Sequence, residues 1–173
     1  MAAPDWAITC DCVDDCTVAS SCSPAREPCL HMARIYASKI SLCDDLEAIA
    51  DSLPGHVDRL HCLNVASRLL PALRQSHRYE EQVLFPAFER GRAASLRSNR
   101  SVQRLKTEHI YDEGAAEEIT DALMWIGHGG DVANPEALGF MLRAFFDTVR
   151  RHIAFEREHV FPTLGKGLDA GDA

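Results

Sequence analysis

The chain lacks any long apolar run: nothing in its 173 residues approaches the ~20 consecutive nonpolar side chains of a membrane-spanning helix. Its start, Met1-Ala2-Ala3-Pro4-Asp5, lacks the positive charge and the apolar stretch of an export signal, so a cytoplasmic protein is expected. Positive charge is scarce. Lys and Arg number 18 against 26 Asp and Glu, giving a net charge of -8 and a pI near 5.4. This balance argues against charge-driven binding to nucleic acid or an anionic membrane. One local basic stretch, Arg90, Arg92, Arg97, Arg100 and Arg104, falls where a loop enters a helix and reads as solvated surface. Strand signals are missing too, with no two-residue alternation bounded by hairpin turns, so an all-α fold is expected.

What is present is enough apolar side chain, 46% of the total, for one domain with a sizeable core. Seven cysteines, an odd number without an export signal, are expected to stay reduced. Residues 1–27 have no helical period and carry Cys10, Cys12, Cys16 and Cys22 among acids and serines, which suggests a tail or a loosely docked arm. Cys29, Cys43 and Cys62 lie on or beside helices as small core residues. Residues 28–165 read as an antiparallel up-down four-helix bundle, and 166–173 as a short C-terminal tail.

The first helix is expected over 28–52, with a stripe of His31, Ile35, Leu42, Leu46, Ile49 and Leu53. The second runs from after Gly55 to near Phe88, kinked or split at Pro71 and presenting Leu70, Leu73, His77, Glu81, Leu84 and Phe88. A third spans 95–126, with Val102, Leu105, His109, Glu113, Ala116, Thr120 and Leu123 on one side, and ends at Gly127-His128-Gly129-Gly130. The fourth opens at Asn134-Pro135, a cap followed by a first-turn proline, and presents Leu138, Leu142, Phe145, Val149, His152, Glu156 and Val160.

His77, His109 and His152 are each followed four residues later by a glutamate, Glu81, Glu113 and Glu156. On a helix that spacing places imidazole and carboxylate one turn apart on one face, able to bind one metal centre. Chance supplies about 1.2 such pairs in this composition. Three pairs on three apolar stripes are more telling than their number, because an unpaired polar group there is costly to bury. No Lys or Arg lies on these stripes to neutralise the acids, which disfavours a metal-free polar network. His31 brings the first helix to the same level. Mixed imidazole and carboxylate ligands suit iron, manganese or zinc, and two irons fit seven such groups best. His56 and His61 lie far from this level, His128 falls in a glycine loop and His159, although on the face of Glu156, reads as a spare surface imidazole, while Tyr79 and Tyr111 are expected to pack or to hydrogen-bond behind it.

The run Glu80-Glu81-Gln82-Val83-Leu84-Phe85-Pro86 is echoed by Glu156-Arg157-Glu158-His159-Val160-Phe161-Pro162. Here the chain resembles the hemerythrin-like family, or HHE cation-binding domain, over about residues 28–164. The resemblance places His152 and Glu156 on the family's fourth-helix pair, His109 on its third-helix histidine and His31 on its first-helix histidine. The second helix departs. Superposing the Phe-Pro endings sets Ser76 and Glu80 against His152 and Glu156, with the histidine displaced to His77. Either His77 and Glu81 pair after a change of register, or Glu80 binds and one imidazole is missing. The candidate metal ligands are therefore His31, His77, Glu80, Glu81, His109, Glu113, His152 and Glu156.

The resemblance implies two non-haem irons, oxo- or hydroxo-bridged, with manganese or zinc as substitutes. The expected role is to bind or sense dioxygen, nitric oxide, peroxide or iron status, with an unidentified protein partner for any signal. Extra carboxylates stabilise ferric iron, so sensing or peroxide chemistry is favoured over reversible oxygen carriage. A di-iron oxidase or peroxidase is the alternative, though no substrate pocket or dedicated acid is visible in the sequence. Another is an iron or redox repair protein using Cys10, Cys12 and Cys16, whose spacing fits no zinc or cluster motif.

Overall fold

The computed structural model describes residues 26–91 and 100–160, with side chains from 31 to 90 and from 100 to 160. Every element among them is helical: α1 (Arg26–Ser52), α2 (Arg59–Tyr79), α3 (Phe85–Gly91), α4 (Arg100–Gly127) and α5 (Pro135–Phe155). π-helical turns follow α2 at Glu80–Leu84 and α5 at Glu156–Val160. The cysteine-bearing tail lies outside the described residues, as does the C-terminal segment.

The helix starts are chemically specified. Asp58 caps α2, its carboxylate accepting from the N–H groups of Leu60 at 2.9 Å and His61 at 3.1 Å. Asn134 accepts from Ala137 N–H at 3.0 Å and Pro135 fills the first turn, as the sequence leads one to expect. At the end of α4, Gly129 takes φ +99°, a left-handed conformation that favours glycine, and Gly130 N–H bonds the Trp125 carbonyl at 2.9 Å.

α1 packs on α2 and α5, and α4 on α2 and α5, around one shared core. Arg143 meets Asp51 at 2.6 Å, while Arg150 meets Asp44 at 2.8 Å and Glu47 at 2.6 Å, so residue numbers rise along α5 as they fall along α1. Leu46, Leu69, Leu123 and Leu142, each at most 2% exposed, belong to this core. Burial of the whole core supplies most of the driving force, at roughly 25 cal/mol per Å² of apolar surface.

Two helical faces differ in part from the sequence expectation. The buried side of α1 keeps Leu42, Leu46 and Ile49 of the expected stripe, but its first half runs through Met32, Tyr36 and Lys39, which turns His31 outward. One residue of offset is about 100° of rotation, so a stripe drawn through His31 and Ile35 is a quarter-turn away from the core. On α4 the buried line passes through His109, Asp112, Ala116 and Ile119, leaving Glu113 and Thr120 at its margin. α2 runs through Pro71 without splitting, because that exposed proline leaves only a solvent-side carbonyl without its partner. The departure from α geometry comes later, where Phe85 N–H reaches the Glu80 carbonyl five residues back. Pro86 follows and has no N–H to give Gln82. The echoed sequence after α5 has its π turn at the matching place, and each turn begins on a glutamate that is 0% exposed, Glu80 and Glu156.

Candidate metal centre

Five buried groups from α2, α4, α5 and the two π turns meet between the helices. His77, Glu80 and His109 offer ligand atoms all within 4.8 Å of one another, as do Glu80, His152 and Glu156. Glu80 belongs to both sets. Rings of His77 and His109 stack in parallel, 3.8 Å apart. Nε2 of His109 lies 3.0 Å from Oε2 of Glu80, and Nε2 of His152 lies 3.4 Å from Oε1 of Glu156.

The fit to a cation is tested by atoms without hydrogen-bond partners. Nε2 of His77, Nε2 of His109, both ring nitrogens of His152, Oε2 of Glu80 and both carboxylate oxygens of Glu156 are buried and unpartnered. Native interiors tolerate few such atoms, and these seven cluster in one place and are imidazole nitrogens or carboxylate oxygens. A metal ion held by these nitrogens and oxygens would satisfy them together, as the chemistry of mixed imidazole–carboxylate sites allows.

Behind two of the imidazoles stand carboxylates. Nδ1 of His77 donates to Glu113 at 2.9 Å, and Nδ1 of His109 donates to Glu81 at 2.9 Å. Each bond fixes the ring and places the proton on Nδ1, leaving the Nε2 lone pair for the interior. Arg74 holds Glu113 in turn, at 3.3 Å, and also reaches Glu117. For His152 the nearest acids to Nδ1 are Glu108 at 3.7 Å and Asp112 at 4.0 Å, too far for hydrogen bonds.

α1 contributes a cation. Nζ of Lys39, only 4% exposed, donates to Oε1 of Glu80 at 2.9 Å, and Oγ of Ser76 donates to the same oxygen at 2.6 Å. Burial works against the ammonium, but the carboxylates of Glu80 and Glu156 outweigh it and hold Lys39 above its ordinary range. Burial likewise opposes the Glu80 carboxylate, and Lys39 and His109 overcome it, keeping Glu80 well below the usual carboxylate range. Burial, then the charges of His109 and Lys39, push His77 down to about 2, so it is neutral. His109 is raised: burial disfavours its charge, but the neighbouring Glu80 carboxylate outweighs it. Burial, reinforced by Glu156 and Glu80, raises the Tyr36 phenol far above its ordinary range, so it keeps its proton. Asp112 is raised by burial.

Among the candidate residues, the structure thus brings together His77, Glu80, His109, His152 and Glu156. Glu81 and Glu113 stand at the margin, 38% and 30% exposed, each turned to the outer nitrogen of an imidazole. His31 is exposed and rests against the Tyr79 ring, 4.4 Å between centroids. The choice left open on the second helix resolves as a combination: His77 and Glu80 both face inward, since residues three apart share a helix face as well as those four apart. Tyr111 is exposed. Sequence reasoning missed Tyr36, Lys39 and Asp112. Lys39 corrects the expectation that no basic residue faces the acids: the expected α1 stripe misses the core face over its first half, at His31 and Ile35, where Lys39 lies. The signal was available: Lys39 follows Met32 and Tyr36 and precedes Cys43 and Leu46 at helical spacing.

The hemerythrin HHE cation-binding domain matches residues 40–164. The chain belongs to that family. No curated protein and no solved structure matches it. The matched span takes in all five inward groups and stops short of His31, Tyr36 and Lys39. Among the described residues no helix is long and apolar enough to cross a membrane.

Proposed function

We propose that this chain is a non-haem iron protein that binds or senses a small molecule, either dioxygen, nitric oxide or peroxide, inside an up-and-down antiparallel four-helix bundle. The observation that carries the reading is the cluster of unpartnered, buried imidazole nitrogens and carboxylate oxygens, with two rings already oriented by outer carboxylates. Iron bound there would supply a redox-active Lewis acid to a small ligand. The chain's own part is to position and to exclude. Glu113 and Glu81 aim the Nε2 lone pairs of His77 and His109, and Glu80 and Glu156 bring negative charge that favours the higher oxidation state. Phe85, stacked on His109 at 5.6 Å, and Leu84 keep bulk water away. Tyr36 retains its proton beside Glu156.

The test is anaerobic loading of the full chain with ferrous iron, removal of excess by desalting, and metal analysis. Nitric oxide is then added and followed by EPR. Retained iron at a fixed stoichiometry, and a new half-integer-spin signal with nitric oxide, are expected. His77→Ala combined with His109→Ala should abolish both. A folded wild type that retains no iron refutes the reading.

A further inference from the structure

The interior offers two cation positions, and Glu80 is common to them. A carboxylate that serves two cations gives one oxygen to each. Oε2 of Glu80 is unpartnered and lies beside Nε2 of His109, which assigns it to the position formed with His77 and His109. Oε1 is already taken. It accepts from Nζ of Lys39 and from Oγ of Ser76, two donors at 2.9 and 2.6 Å.

We infer that the ammonium of Lys39, by holding Oε1 of Glu80, keeps that carboxylate from bridging two ions, so that the chain holds one metal ion, at His77, His109 and Oε2 of Glu80, instead of a pair. The inference rests on the metal-binding reading and deepens it. Three further observations support it. First, the sequence repeat sets Ser76 against His152, so the second helix supplies at that place a hydroxyl that caps Glu80 and no imidazole. Secondly, Lys39 is one of two polar side chains that α1 buries here, the other being Tyr36, and neither is an imidazole or a carboxylate. Thirdly, charge closes better on one ion. Glu80 and Glu156 are wholly buried, and against them one divalent ion plus the ammonium leaves an excess of one positive charge. A second divalent ion would raise that excess to three in a low-dielectric interior, while Glu81 and Glu113 are turned outward to the Nδ1 atoms.

The test compares the full-length wild type with Lys39→Glu, which replaces the cation by a carboxylate, and Lys39→Met, a neutral side chain of similar length. Each is loaded anaerobically with ferrous iron, desalted, analysed for metal, then exposed to air and examined by quantitative EPR, with circular dichroism confirming the fold. The wild type is expected to hold one iron per chain and to give the signal of an isolated ferric ion. At least one folded variant should rise towards two irons, with that signal lost to spin coupling. Two coupled irons in the wild type overturn the inference and leave the iron-binding reading intact. One iron in the wild type and in both folded variants overturns the role of Lys39. No iron in any of the three overturns the metal-binding reading itself.

Discussion

Glu113 on α4 accepts a hydrogen bond from Nδ1 of His77 on α2 at 2.9 Å, tying the outer edge of the polar level to its centre. The acid stands four residues from His109 in sequence, yet it serves the histidine of the neighbouring helix, and Glu81 returns the arrangement by serving His109. Two helices thus orient each other's imidazoles.

Removing either acid should weaken metal binding without unfolding the chain. Glu113→Ala and Glu81→Ala are expected to lower affinity by about 10- to 100-fold each, the usual range for a carboxylate behind a metal-binding histidine. Competition against a chromophoric chelator measures this, and thermal melts of the metal-free protein should move little because both acids are partly exposed.

Lys39 and Glu80 form a buried pair, 4% and 0% exposed, that should be far more sensitive to losing one partner than to losing both. Glu80→Ala is expected to destabilise the metal-free protein by about 3–5 kcal/mol, since it leaves an ammonium buried without its counter-charge. Adding Lys39→Met to that variant should recover part of the loss. Urea unfolding in the presence of a chelator, analysed as a double-mutant cycle, reads the coupling.

Burial raises the Cys43 thiol from its ordinary value of 9.0 to about 12. A folded value above the unfolded one means that the contribution of this group to stability is complete below about pH 9 and is lost as pH climbs from there towards 12. At neutral pH, Cys43 and the equally buried Cys62 should resist iodoacetamide until denaturant is added. Peptide mass spectrometry after labelling checks both residues, and alkaline melts of the wild type against Cys43→Ala check the pH window.

Leu123 is 0% exposed in the apolar core, so Leu123→Ala should cost about 2–5 kcal/mol through lost transfer energy and the cavity left behind. Asn134→Ala removes only the cap of α5 and should cost about 1 kcal/mol. Chemical denaturation would rank the two, and a reversed order would contradict this division between core and cap.

Much of this was legible in the chain. The apolar stripe of α5 reads correctly through Leu138, Leu142, Phe145, Val149, His152, Glu156 and Val160, because it keeps a regular period behind a strong cap. The doubled ending around Phe85-Pro86 and Phe161-Pro162 marked the glutamates that matter, although not that each opens a π turn. Less legible was α1. Its two neighbouring stripes are both apolar enough to serve as a core face, and only contact with α2 and α5 selects the one carrying Tyr36 and Lys39 over the one carrying His31.

By itself, the order of residues determined that the described chain is helical, that α5 opens at Asn134-Pro135, and that histidines and acids sit on apolar faces, since caps and periodicity act between near neighbours along one rod. Only the packed structure decided which of those groups meet. Whether a side chain on one helix faces another depends on a rotation of about 100° per residue, and on neighbours brought together from distant parts of the chain. That is why Glu113 came to orient His77 and not to join His109, and why an ammonium from α1 came to rest on Glu80.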